Sequence, residues 1–356
     1  MTDLHAQLVA AIADPQTPWE TRFDEFVTQI FAHQFEHNLA YQRFCKGRGV
    51  TPADIKTWRD VPAVPTDAFK AVQLTTGTKP VATFQTSGTT QGKRGRHDFQ
   101  TLDVYRAAIE GPFRRFCQSE PRLTMLALTP SPGDLPDSSL SFMFGELLKS
   151  CGKPWTSGFF IAKDEDEMDF DFDGLVDALD DARGPIFLMG TAFAFIELFD
   201  TVDLAWKLPA GSRVLETGGL KGRTRRVEKD ELYGLFAERF GIPETHMLSE
   251  YSMTELSSQA YTDNLLRGVS WREARFVPPP WARVEMADPV TLEPIEGDET
   301  RGLIRWYDLA NVDSVMAVQT SDIGTRFADG SFVLEGRAPD AELRGCSLTV
   351  EEIAKR

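Results

Sequence analysis

The segment Thr86–Gly95 concentrates glycines, hydroxyl side chains and a lysine in one short stretch. The residues in it that could contact an anion are Thr86, Ser87, Gly88, Thr89, Thr90, Gly92 and Lys93. Glycines let a backbone turn tightly and bring its N–H groups close to an anion. The hydroxyls add hydrogen-bond donors, and Lys93 adds positive charge, with Arg94 as a second candidate cation. We therefore predict that this loop binds the phosphates of a nucleotide.

This segment differs from the common phosphate-binding loop with the pattern GxxxxGK[ST]. The spacing from Gly88 to Gly92 is one residue too short, and Arg94 follows Lys93 where a serine or threonine is required. The alternative is a surface loop rich in serine, threonine and glycine that binds nothing. The density of donors and the lysine favour phosphate binding over that alternative.

The elements around this loop follow a regular alternation from residue 80 to residue 260. The predicted strands are Val81–Thr86, Leu123–Thr129, Ile186–Met189, Arg213–Glu216 and Met247–Tyr251. The predicted helices lie near Leu102–Cys117, Leu140–Cys151, Leu175–Ala182, Ala192–Phe199 and Lys229–Phe240. Such alternation predicts an α/β fold, in which a mainly parallel sheet is covered by helices. Ligands of these sheets bind beyond the carboxyl ends of the strands.

Other patterns precede, interrupt and follow this region. Aromatic and aliphatic residues at helical spacing predict helices in the first 50 residues, with one buried face: Phe23, Phe26, Val27, Ile30, Phe31 and Phe35. The acidic run Lys163–Asp173 lacks the glycine and glutamate spacing of a calcium loop and is predicted to be a solvated surface loop. After Pro278–Pro280, short β-rich pieces predict a small antiparallel subdomain over 278–336.

Composition excludes several classes of partner. With 38 Lys+Arg against 54 Asp+Glu, the net charge is −16, which repels nucleic acid and anionic lipid. The sequence shows no uninterrupted apolar run long enough to span a membrane and no secretory signal. The 4 cysteines form no CxxC pair, so zinc and a disulfide framework are poorly supported. We expect a cytoplasmic protein.

Four further segments follow the loop in a recognisable order. They are Glu216–Leu220 (ETGGL), Glu250–Glu255 (EYSMTE), Thr320–Gly324 (TSDIG) and Glu335–Asp340 (EGRAPD). With the loop, they resemble the ordered motifs of the adenylate-forming superfamily, which includes acyl-CoA ligases, although serine replaces a glycine in TSDIG. The resemblance implies the large-domain fold of these enzymes, with mixed, mainly parallel sheets, flanking helices and a small antiparallel β subdomain.

Within that superfamily the chain most resembles the LuxE-type acyl-protein synthetases. The chain ends shortly after the EGRAPD segment, so we expect the C-terminal lobe of typical members to be truncated. Arg344-Gly345-Cys346-Ser347 stands where the LuxE-type family places an acyl-accepting cysteine. We predict an adenylation core over 1–277, a β-rich subdomain and hinge over 278–340, and a tail over 341–356 that carries Cys346.

The resemblance implies ATP and Mg²⁺ as cofactors and assigns a role to each matching residue. Glu255 would bind Mg²⁺, because a hard cation prefers oxygen ligands, and Thr254 would contact the α-phosphate. Gly218, Gly219 and Tyr251 would lie along the adenine. Asp322 would accept hydrogen bonds from the ribose hydroxyls, and Arg337 would reach ribose or phosphate. Gly190 and Phe193 would line the pocket for the acid.

Each role has a structural alternative. Glu255 could instead stabilise a helix N-terminus, Asp322 could be a turn residue, and Arg337 could form a surface ion pair. His97 and His246 are expected to be structural. The ordered motifs favour the functional interpretation for Glu255, Asp322 and Arg337.

A second half-reaction would transfer the acyl group to Cys346. A thiolate is a strong nucleophile, and Arg344 would lower the pKa of the Cys346 thiol; the alternative is a small buried apolar residue. The catalytic lysine that typical members carry in the C-terminal lobe has no counterpart. Lys93, Lys221 or Lys355 could replace it, or a partner subunit could complete the site.

The sequence therefore predicts an enzyme that activates a carboxylic acid, expected to be a fatty acid, as acyl-AMP. The acyl group would then pass to Cys346 for delivery to a partner acyl reductase. Two alternatives stay open: a ligase that uses coenzyme A or a carrier protein, and a nucleotide-binding subunit without catalysis.

Overall fold

The computed structural model describes residues 3–86, 93–118, 120–164, 167–218, 228–338 and 353. Its α-helices are α1 (Asp3–Ala13), α2 (Trp19–His37), α3 (Leu39–Gly47), α4 (Ala68–Ala71), α5 (Asp103–Phe116), α6 (Ser139–Cys151), α7 (Phe172–Asp180), α8 (Ala192–Thr201), α9 (Lys229–Phe240) and α10 (Asn264–Arg267). No helix among these residues is long and apolar enough to cross a membrane.

The strands follow in chain order. They are β1 (Val64–Pro65), β2 (Ala82–Gln85), β3 (Arg96–Phe99), β4 (Thr124–Pro130), β5 (Gly158–Asp164), β6 (Glu167–Phe170), β7 (Ile186–Thr191), β8 (Arg213–Thr217), β9 (Met247–Tyr251), β10 (Ala260–Thr262), β11 (Phe276–Val277), β12 (Ala282–Ala287), β13 (Thr300–Asp308), β14 (Ala317–Arg326) and β15 (Phe332–Arg337).

The chain divides into two compact units. Unit 1 comprises residues 1–108, 253–259 and 277–356, and unit 2 comprises residues 109–252 and 260–276. The chain passes from unit 2 to unit 1 between Ser252 and Met253, inside the EYSMTE segment. The three-part division predicted from the sequence stays a prediction.

Unit 2 contains the predicted parallel sheet. Its strand order is β10-β9-β8-β7-β4-β5-β6, with β5, β4, β7, β8 and β9 parallel and β6 and β10 antiparallel at the two ends. Side chains of β7 alternate between two helical layers: Phe187 stacks on Phe113 of α5 at 5.3 Å, and Leu188 packs in the core formed with α8 and α9. Both faces of these strands are thus buried, as in α/β proteins.

Unit 1 contains antiparallel strands in the region that the sequence predicted to be β-rich. Strands β12, β13, β14 and β15 pair antiparallel in sequence order, and β1 joins β14 in parallel. Helix α2 presents the predicted apolar face, since Phe23, Phe26 and Phe31 are buried. A buried amide continues this packing beyond the apolar stripe: Gln34 donates through Nε2 to the carbonyls of Asn311 and Val312 at 2.7 and 3.2 Å.

Two predictions about local structure are wrong. The strand predicted at Val81–Thr86 does not enter the parallel sheet, because β2 pairs antiparallel with β3 in a separate two-stranded hairpin of unit 1. The acidic run Lys163–Asp173 is not a loop: β5 and β6 form an antiparallel edge pair, and α7 begins at Phe172. Phe170 and Phe172 stack at 4.1 Å. Apolar residues that alternate with the acidic ones therefore pack together, although the run as a whole is highly charged.

The close approach of β4 and β7 generates a prediction about stability. A Cβ added at Gly190 would lie 2.8 Å from Cβ of Leu128, so Gly190→Ala should lower the free energy of unfolding by about 1–3 kcal/mol through overpacking. Gly234→Ala is the matched control, because Gly234 is an exposed position of α9 and nothing lies within 4 Å of a Cβ added there. It should stabilise unit 2 by about 1 kcal/mol. Urea unfolding of both variants checks this, and equal effects would contradict it.

Candidate active site

The hairpin β2–β3 carries the predicted phosphate loop between its strands. The residues Ser87, Gly88, Thr89, Thr90 and Gly92 lie outside the described part of the chain. The two ends of the loop are closed by reciprocal hydrogen bonds: the N–H of Gly95 donates to Oγ1 of Thr86 at 2.8 Å, and the N–H of Thr86 donates to the carbonyl of Gly95 at 3.0 Å. The described residues at the two ends of the loop, Thr86 and Gly95, are therefore held together.

The two cations at the end of the loop differ in their contacts. Arg94 donates through Nε to the carbonyl of Thr86 at 2.7 Å and through a terminal nitrogen to the carbonyl of Gln85 at 3.2 Å. Through these bonds, the guanidinium of Arg94 holds the backbone at the end of β2. Lys93 is exposed to solvent.

A buried aspartate fixes the hairpin from inside. Asp98 accepts hydrogen bonds from Thr83 at 2.6 Å, from Gln73 at 2.8 Å and from Arg96 at 3.2 Å. Burial alone would raise the pKa of Asp98, but these bonds outweigh it and lower the pKa. An ionised carboxylate thus ties both strands to the segment before the hairpin.

His97 links the hairpin to the predicted metal ligand. It is buried, and its Nδ1 lies 2.8 Å from the carbonyl oxygen of Thr254. Because a carbonyl only accepts, Nδ1 carries the proton and donates. Burial lowers the pKa of His97 to about 4, so the ring is neutral at pH 7. Strand β3 of the hairpin and the Thr254–Glu255 segment are therefore joined within unit 1.

The segment after Thr254 is held by a buried polar network from the loop between β13 and β14. Asn311 donates through Nδ2 to the carbonyl of Glu255 at 2.8 Å, and Ser257 donates to Oδ1 of Asn311 at 2.6 Å. Asp308 accepts from the N–H of Ser257 at 3.0 Å and from the hydroxyl of Ser258 at 2.6 Å. This network places the backbone of Glu255 independently of any ligand.

The Glu255 side chain is a buried carboxyl with an unusual ionisation. Burial raises the pKa of Glu255 to about 7, while the positive charges of Lys70 and Arg337 act to lower it and Asp67 acts to raise it. The carboxyl is therefore close to half protonated at neutral pH. A cation bound to it would favour the ionised form.

The surroundings of Glu255 suit a cation whose other ligands are phosphate oxygens and water. The described residues contain no group of three or more His, Cys, Asp or Glu side chains that could hold a metal ion. Mg²⁺ in nucleotide sites is commonly held by one or two carboxylates together with phosphate oxygens and water, rather than by a protein cage. A single buried carboxylate in the same unit as the hairpin fits that mode of binding.

Asp322 and Arg337 are brought together on neighbouring strands. They face each other in the register of β14 and β15, and Arg337 Nε lies 3.7 Å from Asp322 Oδ1. Arg337 is the more exposed partner, and its charge also acts on Glu255. The ion pair that was the structural alternative for Arg337 is therefore present. It lies in unit 1, as do Glu255 and the hairpin.

Unit 2 holds the residues predicted to contact adenine. Gly218 follows the carboxyl end of β8 with a φ of 81°, a conformation that favours glycine, and Gly219 lies outside the described residues. Tyr251 ends β9 and is buried, with its ring 6.0 Å from Phe276. Both therefore stand at the carboxyl edge of the parallel sheet, where ligands of such sheets bind.

A second buried carboxyl lies at this edge. Glu250 and Thr217 are partners in the register of β9 and β8, and the Thr217 hydroxyl donates to the Glu250 carboxyl. Burial raises the pKa of Glu250 to about 7. Glu216 on the other face accepts from Tyr233 at 3.0 Å.

The residues predicted to line the acid pocket have different surroundings. Gly190 is buried at the close approach of β7 to β4, where packing requires the absence of a side chain. Phe193 is half-buried in the first turn of α8, which Thr191 caps by accepting the N–H of Ala194 at 3.1 Å. Cys346 lies outside the described residues.

The expectation that His97 is structural agrees with its hydrogen bond to the carbonyl of Thr254. Sequence reasoning missed Asp308 and Asn311, which help to position Glu255. Their signal is weak, because polar residues between two apolar strands are equally typical of an exposed turn. Asp308 and Asn311 differ from turn residues in their burial and their hydrogen-bond partners, which the spacing of residues in the sequence does not reveal.

The neutral, buried state of His97 generates a pH prediction. Below pH 6.5 the unfolded chain binds a proton on His97 that the folded chain, with a pKa of about 4, does not bind. The wild type therefore loses stability from this group as the pH falls, by about 2 kcal/mol between pH 7 and pH 5. His97→Asn keeps an N–H donor for Thr254 without a titrating ring.

The free energies of unfolding of the wild type and His97→Asn should be compared at both pH values by urea unfolding. Because other groups titrate equally in both proteins, the wild type should lose about 2 kcal/mol relative to the variant at the lower pH. A difference that does not change with pH would contradict a neutral His97.

The fold resembles that of several solved enzymes. The open conformation of 2-hydroxyisobutyryl-CoA ligase in complex with 2-HIB-AMP and CoA matches with a TM-score of 0.61 at 16% identity, over 89% of this chain and 69% of that chain. The postadenylation state of this ligase with 2-HIB-AMP gives 0.62 at 14% identity, over 88% and 67%. ATP-bound MatB from Rhodopseudomonas palustris gives 0.50 at 17% identity, over 72% and 48%.

These likenesses show the fold alone, and the chain spans about half of the length of MatB. No curated protein matches the chain. The family model described as acyl-protein synthetase, LuxE, matches residues 11–354. That match covers nearly the whole chain and agrees with the fold of the ligases above, so the chain belongs to the LuxE family of acyl-protein synthetases.

Proposed function

We propose that this enzyme uses ATP to convert a fatty acid to acyl-AMP and then transfers the acyl group to its own Cys346. The observation that carries the first step is the 2.8 Å hydrogen bond from His97 to the carbonyl of Thr254. It ties the hairpin that bears the phosphate loop to the segment that bears Glu255, so one nucleotide can contact both. Membership of an acyl-protein synthetase family supports the second step.

The roles of the residues follow from the chemistry of their side chains. In unit 1, the loop from Thr86 to Lys93 is proposed to hold the outer phosphates, Thr254 the α-phosphate, and Asp322 and Arg337 the ribose. In unit 2, Gly218, Gly219 and Tyr251 are proposed to hold the adenine, and Gly190 and Phe193 the acid. Bound Mg²⁺ would be held by Glu255 and would neutralise charge on the phosphates.

Adenylation joins two anions. A carboxylate oxygen of the acid attacks the α-phosphorus and forms a mixed anhydride, while the bond between the α-phosphorus and the bridging oxygen breaks and pyrophosphate leaves with the electron pair. No proton is transferred in this step. The protein's contribution is to place the two anions together and to offset their charge.

In the second step the Cys346 thiolate attacks the acyl carbon and AMP leaves, which forms a thioester. The other three cysteines are poor candidates for this role. Cys45, Cys117 and Cys151 are free but buried, and burial raises the pKa of each thiol, that of Cys45 to about 12. A thiol that stays protonated is a weak nucleophile. Free thiols also suit the reducing cytoplasm predicted from the sequence.

A thioester is suited to onward transfer, because its acyl carbon stays reactive towards a second nucleophile or a hydride. We therefore include in the proposal a partner acyl reductase that accepts the acyl group from Cys346. Membership of a family described as acyl-protein synthetases supports a product in which the acyl group is attached to protein.

The role of Glu255 is tested by pyrophosphate exchange. With ATP, Mg²⁺ and a panel of straight-chain fatty acids, the wild type should exchange labelled pyrophosphate into ATP only when an acid is present. Glu255→Gln should lower the exchange rate by about 100-fold or more, because it removes a charged ligand at the phosphates. The fold should persist, since the site already accommodates the neutral carboxyl.

Glu296→Gln is the matched control, because Glu296 is an exposed carboxylate of the same unit. It should exchange at the wild-type rate. Wild-type exchange by Glu255→Gln would contradict the role of Glu255, and binding of ATP without exchange for any acid would indicate a non-catalytic nucleotide-binding subunit.

The role of Cys346 is tested by mass spectrometry of the intact protein. Incubation with ATP, Mg²⁺ and an active acid should add one acyl group to the wild type and to Ser347→Ala, and neutral hydroxylamine should remove it because thioesters are labile to this nucleophile. Cys346→Ser should show no hydroxylamine-sensitive adduct. A sensitive adduct in Cys346→Ser would rule out Cys346, and thioester product formed only on added coenzyme A would indicate an acid–CoA ligase.

A further inference from the structure

Most of the described cations near the hairpin and Glu255 are engaged in holding the structure. Arg94 braces the end of β2, and Arg96 contacts the buried Asp98 at 3.2 Å. Arg337 lies opposite Asp322 across β14 and β15. Lys70 differs from these, because it forms a 2.7 Å ion pair with Asp67, one turn away on the surface, and both side chains are about half exposed.

Packing places Lys70 at the base of the phosphate loop. Its helix, α4, lies against the hairpin through Phe69, whose ring is 6.0 Å from that of His97 in an edge-on arrangement. A Cβ added at Gly95 would lie 3.5 Å from Cγ of Lys70 and 3.1 Å from Cγ2 of Thr86. The stem of Lys70 therefore runs beside the turn that closes the loop.

The charge of Lys70 also reaches Glu255. Its ammonium acts to lower the pKa of the Glu255 carboxyl, and the carboxylate of Asp67 acts to raise it. Because Phe69 contacts His97 and His97 donates to the carbonyl of Thr254, the helix of Lys70 lies near both parts of unit 1 that are proposed to contact the same nucleotide. The hairpin, Glu255 and Lys70 all belong to this unit.

The ion pair with Asp67 can be exchanged at low cost. Exposed pairs three residues apart contribute only about 0–1 kcal/mol, because water screens them and ordering two long side chains costs entropy. A lysine ammonium is a compact charge on a flexible stem, and it binds phosphate without the fixed geometry that arginine requires. A phosphate beside Gly95 would offer Lys70 a partner with more charge than one carboxylate.

We propose that Lys70 is a phosphate ligand, which exchanges its ion pair with Asp67 for the triphosphate of a nucleotide bound between the base of the hairpin and Glu255. This inference rests on the proposed use of ATP and adds a binding residue to that site. The ammonium of Lys70 offsets charge on the pyrophosphate as the bond to the α-phosphorus breaks. No proton or electron passes through it.

The test compares Lys70→Met with Asp67→Asn in the full chain. Affinity for Mg·ATP is measured by calorimetry, and pyrophosphate exchange is measured with an active acid. Lys70→Met should weaken Mg·ATP binding by about 10-fold or more, with a rise in KM for ATP, and Lys70→Arg should recover part of the affinity. Asp67→Asn should bind as tightly as the wild type or more tightly, because it removes a competing partner and a negative charge.

Lys46→Met is the control, because Lys46 is an exposed lysine on α3 of the same unit whose partner is Gln42. It should bind Mg·ATP like the wild type. If Lys70 only stabilised α4 through Asp67, Lys70→Met and Asp67→Asn would weaken binding together and lower the melting temperature together, which would overturn the inference.

The outcomes separate this inference from the proposed function. A wild type that binds Mg·ATP and exchanges pyrophosphate, beside a Lys70→Met variant that does so equally well, overturns the role of Lys70 alone. A wild type that binds no Mg·ATP overturns both.

Discussion

One hydrogen bond connects the two halves of the chemistry in unit 1. The neutral ring of His97 donates to the carbonyl of Thr254, so strand β3 and the segment that carries Glu255 are joined. This bond connects residues 157 positions apart in the sequence. The Asp308–Asn311 network holds the other side of that segment.

Burying the carboxyl of Glu255 costs free energy. A buried carboxyl whose pKa is raised to about 7 resists ionisation, and each pKa unit corresponds to about 1.4 kcal/mol. A cation and a polyphosphate would relieve that cost, because they supply the opposite charge and further hydrogen bonds. The site is thus prepared for a charged ligand, which agrees with the clustering of perturbed carboxyls at functional sites. Lys70 and Arg337 already act in the same direction as a metal ion would.

The sequence predicted much of the parallel sheet of unit 2 and little of the support of Glu255. Met247–Tyr251 and Lys229–Phe240 were predicted with their observed bounds. Gly241, which follows the helix in the left-handed conformation, is a typical signal for a helix end. The strand before the predicted phosphate loop was assigned to the wrong sheet, because a short apolar run does not indicate which strand it will pair with. The buried roles of His97, Asp308 and Asn311 depend on contacts across the fold, which local patterns do not contain.

The account depends most on one nucleotide contacting both the hairpin and Glu255. A crystal structure of the protein with Mg²⁺ and a non-hydrolysable ATP analogue measures this directly. It should show phosphate oxygens on backbone N–H groups of the loop that starts at Thr86, and Mg²⁺ within about 2.1 Å of a Glu255 oxygen. A nucleotide that is bound to the loop but remote from Glu255, or bound at another place in the molecule, would contradict the account.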